Sequence, residues 1–169
     1  MINKEYIDNI KLDIDKRVQN VVELLKRSSL KVSCAESCTG GMLSAALTKL
    51  AGVSSVFEFS VCCYSNSAKE KHLGVNGQTL AKFGAVSEET ALEMASGIIK
   101  ASGADIGLSV TGIAGPDGGT PDKPVGTVYI AAVYKDKSEC RRLSINPIDR
   151  EYIRAYSVNE VLKLAQKIL

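Results

Sequence analysis

Lys31-Val32-Ser33-Cys34-Ala35-Glu36-Ser37-Cys38-Thr39-Gly40-Gly41-Met42-Leu43-Ser44-Ala45-Ala46-Leu47-Thr48-Lys49-Leu50 is the stretch whose reading decides the fold. Lys31–Ala35 reads as a short strand, residues 36–41 as a glycine-ended turn, and Met42–Leu50, rich in Ala and Leu, as a helix that Gly52 stops. A helix that follows a strand this closely belongs to an α/β arrangement.

The same alternation extends in both directions. Upstream, Ile7, Ile10, Leu12, Val18, Val21, Val22, Leu24 and Leu25 recur at helical spacing and predict an amphipathic helix over the first ~28 residues, closed by Arg27. Downstream, Val56–Tyr64 is β-branched and aromatic and reads as a strand. Short helices follow at Ser67–Leu73, ended by Gly74, and at Thr79–Phe83, ended by Gly84. Ser87 has the character of an N-cap, with Glu88 and Glu89 suited to the positive end of a helix running to about Ala101. Ile106–Val110 reads as a buried strand, Thr111–Val125 as a long Gly/Pro loop, and Thr127–Tyr134 with Glu139–Ile145 as a hairpin around Lys135-Asp136-Lys137. Asp149–Ile168 closes the chain as a helix. Alternating elements with a late hairpin predict one α/β domain spanning 1–169: a mixed sheet with helices on both faces.

Composition bounds the function. The 169 residues hold 45% hydrophobic and 24% charged side chains, as expected of a soluble globular domain. No apolar run reaches the ~20 residues a membrane span needs, and the N-terminus has early charges of both signs rather than a secretory signal, so a cytoplasmic location without membrane association is expected. Interspersed charges with a net +2 give no polyanion-binding stripe, so no nucleic-acid partner is expected. The five cysteines, Cys34, Cys38, Cys62, Cys63 and Cys140, are an odd number and read as reduced and mostly buried; Cys62 and Cys63 would point to opposite sides of their strand. Closely paired Cys/His ligands are missing, so no metal site and no cofactor are expected.

Three loops that directly follow strands hold the candidate chemistry. Ser37 stands where a strand gives way to a helix, with Gly40 and Gly41 just behind it. Unpaired N–H groups there suit a phosphate or the oxyanion formed when a hydroxyl attacks a carbonyl, and they suit equally a plain helix cap. The turn is neither a Gly-x-Ser-x-Gly elbow nor a Gly-Lys-Ser/Thr phosphate loop. A serine nucleophile needs a base. The only histidine, His72, lies in a solvated, charged stretch, and lysines are too many for composition to choose among. The second loop is Tyr64-Ser65-Asn66-Ser67-Ala68-Lys69, in which spacing alone makes Lys69 a solvated helix residue. The third runs from Thr111-Gly112 to Gly119 and is either a sugar- or phosphate-contacting loop or an ordinary surface loop.

Taken together, Ala35-Glu36-Ser37-Cys38-Thr39-Gly40-Gly41, Tyr64-Ser65-Asn66 with Ala68-Lys69, Leu73-Gly74-Val75, Gly84-Ala85-Val86-Ser87-Glu88-Glu89, Val110-Thr111-Gly112-Ile113-Ala114-Gly115-Pro116 and Lys123-Pro124-Val125-Gly126-Thr127-Val128 resemble, in order, the C-terminal domain of the competence/damage-inducible CinA proteins. The resemblance runs from about residue 20 to the last helix. It implies a three-layer α/β/α sandwich and the activity of a stand-alone nicotinamide-nucleotide amidohydrolase, which converts nicotinamide mononucleotide to nicotinic acid mononucleotide and ammonia. It also implies Ser37 as nucleophile, Lys69 as general base and Tyr64 as an assisting group, with N–H groups near Thr39–Gly41 on the oxyanion. Cys38, Thr39, Gly40, Gly41, Asn66, Thr111, Gly112 and Arg150 would contact substrate, Arg150 at the phosphate. The chain departs from the family in Ile148-Asp149-Arg150, where Gly-Asp-Arg is usual, in Ser60 near a position where glycine is common, and in Cys62-Cys63. The amphipathic first helix and the family together lead us to expect a homo-oligomer, a dimer or higher. The alternatives are a non-catalytic nucleotide-binding module and an amidase acting on another carboxamide.

Overall fold

The computed structural model describes residues 2–169, the side chains of 2–4 excepted. In chain order the elements are α1 (Ile2–Ser28), β1 (Val32–Glu36), α2 (Met42–Thr48), a 3-10 turn at Val53–Ser55, β2 (Phe57–Cys62), α3 (Asn66–Leu73), α4 (Gly77–Phe83), α5 (Glu88–Ser102), β3 (Ile106–Gly112), β4 (Thr127–Tyr134), β5 (Lys137–Ser144) and α6 (Arg150–Ile168). Of the first helix expected from the sequence, Met1 lies outside the described residues.

The strands form one mixed sheet in the order β2-β1-β3-β4-β5. β1 is parallel to both β2 and β3, and the β3–β4 and β4–β5 pairs are antiparallel. Side chains alternate across each strand. Val32 and Cys34, Ile106, Leu108 and Val110, and Val128, Ile130 and Ala132 face a core shared with α1, α2 and α6. Ala35 packs on the other face with Met94 and Ile98 of α5 and Leu73 of α3, and Ala131 packs there with Ala91 and Ala95. The molecule is thus an α/β/α sandwich. Burying a Leu or Ile such as Leu25, Leu108 or Leu162, each with no exposed surface, contributes about 1.5–3 kcal/mol. Gly107 is required by packing alone: a Cβ there would lie 2.0 Å from the Ala95 carbonyl oxygen of α5.

Boundaries differ from the sequence expectation where hydrogen bonding overrides composition. Tyr134 pairs with Lys137, so the hairpin turns on Lys135-Asp136 alone, with Lys135 at φ 55°, and β5 starts at Lys137 rather than Glu139. β2 starts at Phe57 rather than Val56, because the Val56 N–H bonds back to Val53 in the preceding turn, and it ends at Cys62 rather than Tyr64. The Ser87 cap is as expected: its Oγ accepts from the Thr90 N–H.

The order 2-1-3 places a topological switch beside β1. The chain leaves β1 over one face through α2 to reach β2, and returns over the other face through α3–α5 to β3. In open α/β sheets such a switch opens a crevice outside the carboxyl ends of the strands. Ser37, Tyr64 and Gly112 all come from those ends.

Candidate active site

Ser37 is the first residue beyond β1, and the sheet holds the backbone on both sides of it. The Glu36 carbonyl accepts from the Cys63 N–H at 2.8 Å, and the Ser37 N–H donates to the Val110 carbonyl at 3.0 Å. The Ser37 side chain keeps 8% of its exposure. Its Oγ lies 3.1 Å from Lys69 Nζ.

Lys69 is not the solvated residue that spacing alone suggests. Ser65 caps α3 by accepting the Ala68 N–H. The helix then turns its first inward position, one turn on, under the loop, so that Lys69 is 1% exposed and among the largest fully buried side chains. Among the described residues its amine meets, besides Ser37, only the carbonyls of Cys63 (2.9 Å) and Tyr64 (3.1 Å). Burial pushes its pKa below the usual lysine value; the neighbouring thiols Cys63, Cys38 and Cys62 would pull it back up if ionised. They are held as neutral thiols: burial raises Cys38 to about 12 and raises Cys62 and Cys63 as well. With these thiols uncharged, burial is the main influence on the Lys69 amine and it favours the neutral form, while the carbonyl oxygens around Nζ act the other way. A neutral amine has two N–H donors and one lone pair. Nζ is placed to donate to the Cys63 and Tyr64 carbonyls and to Ser37 Oγ; once neutral, the amine would keep its two donors on the carbonyls and turn its lone pair to the Ser37 hydroxyl.

Tyr64 contributes differently from the expectation. Its carbonyl holds Lys69, while its ring is 61% exposed and its hydroxyl accepts from Arg150 Nη2 at 3.1 Å. Arg150 Nη1 donates to the Gly115 carbonyl at 2.6 Å. Asp149 starts α6 by accepting the Tyr152 N–H, which sets Arg150 at the helix entrance despite Ile148 before it. Arg150 and Ile148 border a cavity of about 490 Å³, walled also by Gly115, Pro116 and Val125. Neither this cavity nor a smaller one between α1 and α2, lined by Asp15, Val18 and Lys49, has Ser37 or Lys69 in its lining.

The oxyanion expectation needs correction. The Gly40 N–H is spent on the Ser37 carbonyl, the Gly41 N–H on Glu36 Oε2, and the Met42 N–H on the Thr39 carbonyl. The amides in the turn that donate to no protein group among the described residues are those of Cys38 and Thr39. Thr111 is buried and its hydroxyl donates to the Ala85 carbonyl at 2.7 Å, so it is committed inward. Gly112 is a packing glycine: a Cβ would lie 2.6 Å from Val128 Cγ2 on β4. Asn66 is exposed at the start of α3, and His72 is exposed in its last turn. Cys34, Cys38 and Cys63 are buried, Cys140 is half-buried and Cys62 is exposed, all as free thiols. Among the described residues no three His, Cys, Asp or Glu side chains gather in a metal-binding group, and no helix is long and apolar enough to cross a membrane.

Two residues of this site were not singled out from the sequence, Glu36 and Arg154. The signals were present: a carboxylate just ahead of a helix start, and an arginine one turn after Arg150 on the same face of α6.

A sequence model described as the CinA C-terminal domain matches residues 14–169. This chain belongs to that family. It is 52% identical over 149 residues to a CinA-like protein of Kosmotoga olearia, covering 88% of this chain and 36% of that protein. It is 45% identical over 147 residues to a CinA-like protein of Dictyoglomus thermophilum, covering 87% and 36%. The chain thus spans just over a third of the length of the curated relatives it matches. Among solved CinA-related structures, the competence/damage inducible protein CihA from Agrobacterium tumefaciens superposes with a TM-score of 0.88 at 40% identity, over 90% of this chain and 93% of that one. The sandwich expected of the CinA fold is the one observed.

Proposed function

We propose that this chain is a serine amidohydrolase that deamidates nicotinamide mononucleotide. The observation that carries the reading is the 3.1 Å approach of the buried Lys69 amine to Ser37 Oγ, its other hydrogen bonds made by carbonyls alone. The substrate is the one implied by the CinA resemblance, and a cleft bordered by Arg150 suits its phosphate.

Ser37 Oγ attacks the carboxamide carbon while Lys69 takes the hydroxyl proton. The carbonyl oxygen becomes an oxyanion facing the Cys38 and Thr39 N–H groups. Collapse breaks the C–N bond, and Lys69 returns the proton to the departing nitrogen, which leaves as ammonia. Water then enters, gives a proton to Lys69 as it attacks the acyl ester, and releases nicotinic acid mononucleotide; that proton goes back to Ser37 Oγ. Every step uses groups of the chain and water.

The test is to incubate the protein with nicotinamide mononucleotide and measure ammonia, beside Ser37→Ala and Lys69→Ala. Turnover in the wild type and its loss in both variants, with the fold retained, is expected. Tight binding of the nucleotide without ammonia release would favour the non-catalytic binding module instead, and full activity in Ser37→Ala would remove the nucleophile.

A further inference from the structure

The Ser37 turn has an inherent weakness. It contains two successive positive-φ glycines, Gly40 at 58° and Gly41 at 93°, and glycine is the residue with most conformational freedom to lose. A nucleophile on such a segment needs other groups to hold it. Two charged side chains grip this turn from opposite ends, and neither has been given a role above.

Glu36 is wholly buried in the last position of β1, where the parallel neighbours β2 and β3 fix its backbone. Its carboxylate reaches across the turn to the start of α2. Oε2 accepts the Gly41 and Leu43 N–H groups, each at 3.0 Å, and Oε1 accepts the Ser44 N–H at 2.9 Å and the Ser44 hydroxyl. Ser60 on β2 lies against Ser44 Oγ and the Cys34 carbonyl, which ties this network to the sheet. Glu36 therefore closes a bonded loop around Ser37, with one end in the sheet and the other in the helix. From α6, Arg154 donates through Nε (3.2 Å) and Nη2 (2.6 Å) to the Thr39 carbonyl. A Cβ at Gly40 would come within 3.4 Å of Nη2, so the guanidinium lies directly against the turn.

We propose that Glu36 and Arg154 are paired positioning residues that clamp the Ser37–Met42 turn, so that Ser37 Oγ stays on the Lys69 amine and the Cys38 and Thr39 amides stay free. This rests on the nucleophile reading of Ser37. The clamp acts by geometry: both groups bond to the backbone of the turn, and neither touches Ser37 Oγ. It also leaves the first amides of α2 occupied by the chain's own carboxylate, so an anionic part of a substrate has to find its donors elsewhere. Arg154 serves the turn and Arg150 the cleft.

The test separates the clamp from the reading beneath it. An uncharged fluorophosphonate is reacted with the protein, and the rate of Ser37 labelling is followed by intact-mass spectrometry. The wild type is expected to label at Ser37 and Lys69→Ala is not. Glu36→Gln puts an amide N–H₂ against backbone donors, and Arg154→Ala leaves the Thr39 carbonyl with the Met42 N–H alone. Both are expected to label at least about tenfold more slowly, given what ångström-scale misplacement costs a nucleophile. With nicotinamide mononucleotide both should lower kcat and leave KM unchanged. Labelling at the wild-type rate in folded Glu36→Gln and Arg154→Ala would overturn the clamp alone. A raised KM with unchanged labelling in Arg154→Ala would overturn it too, making that arginine a substrate ligand. A wild type that does not label would overturn the nucleophile and the clamp together. Should Glu36→Gln fail to fold, Arg154→Ala, on a half-buried side chain, decides the matter.

Discussion

Replacing Lys69 with Met tests the central contact most directly. Met fills nearly the same buried volume, but its thioether sulfur is far too weak a base to take the Ser37 proton and offers no donors to the Cys63 and Tyr64 carbonyls. Loss of a positioned general base lowers rate by about 10²–10⁴-fold, equivalent to about 3–5 kcal/mol of barrier. The pH profile supplies the second arm. The neutral amine is the active form, so wild-type ammonia release should climb about tenfold per pH unit on the acid side. It should level off where Lys69 titrates, below the ordinary value of 10.5 because burial disfavours the charged amine. The variant should be slow and flat across the same range. Stability also rises with pH, but over the window above that lowered value. A lysine whose folded pKa lies below its unfolded one leaves the unfolded chain holding the extra proton, so wild-type stability rises with pH from that lowered value up to about 10.4 and is lowest beneath it. The melting temperature of Lys69→Met relative to wild type should therefore be most favourable near neutral pH and decline toward about pH 10.4. Ammonia release at saturating nicotinamide mononucleotide and thermal melts from about pH 6 to 10.5 measure both. A wild-type profile flat over that range, with Lys69→Met retaining most of the rate, would refute the base assignment and the lone-pair argument with it.

Arg150→Ala frees the Gly115 carbonyl and the Tyr64 hydroxyl and removes a charge from the cleft. Its KM for nicotinamide mononucleotide should rise about 10–100-fold, matching a charge-assisted bond of about 1.5–3 kcal/mol, with little change for the unphosphorylated nucleoside; equal effects on both would remove the phosphate role. Gly40→Ala forces a side chain into left-handed backbone against Arg154, so urea titration should show about 1–2 kcal/mol of destabilisation together with slower turnover. Gly107→Ala drives a methyl into the Ala95 carbonyl and separates α5 from the sheet; a loss above about 2 kcal/mol is expected, and an unchanged urea midpoint would contradict the packing. Adding a chelator should leave ammonia release unchanged, since each proposed step is carried by side chains, backbone N–H groups and water; a sharp fall would demand a metal.

What was legible in the sequence, and what was not, divides along the range of the interactions involved. Element types and their order follow from local patterning. The helical spacing from Ile7 to Leu25, the β-branched runs at 56–64 and 106–110, the Ser87 cap and the glycines at 74 and 84 all act through a few neighbouring residues, and the helices and strands lie where those signals put them. Ser37 was legible as a candidate for the same reason, since a strand, a turn and a helix in direct succession define its position. Lys69 was not. Helical spacing cannot tell an inward position from an outward one when the covering loop comes from the end of another strand, and only the resemblance pointed to it. Thr111 and Gly112 sit in a suggestive motif, yet their tertiary neighbours, the Ala85 carbonyl and Val128, account for them. Glu36 reaches the turn from the adjoining strand and Arg154 from a helix more than a hundred residues downstream; each has a local signal, but nothing local shows that the two meet on one turn. By itself, then, the chain determined its elements and their succession, because hydrophobic period, capping and turn chemistry are short-ranged. Which amine is dry, which amides are free and which charges hold the serine were decided by tertiary structure alone, because burial and hydrogen-bond partnership belong to the assembled layers.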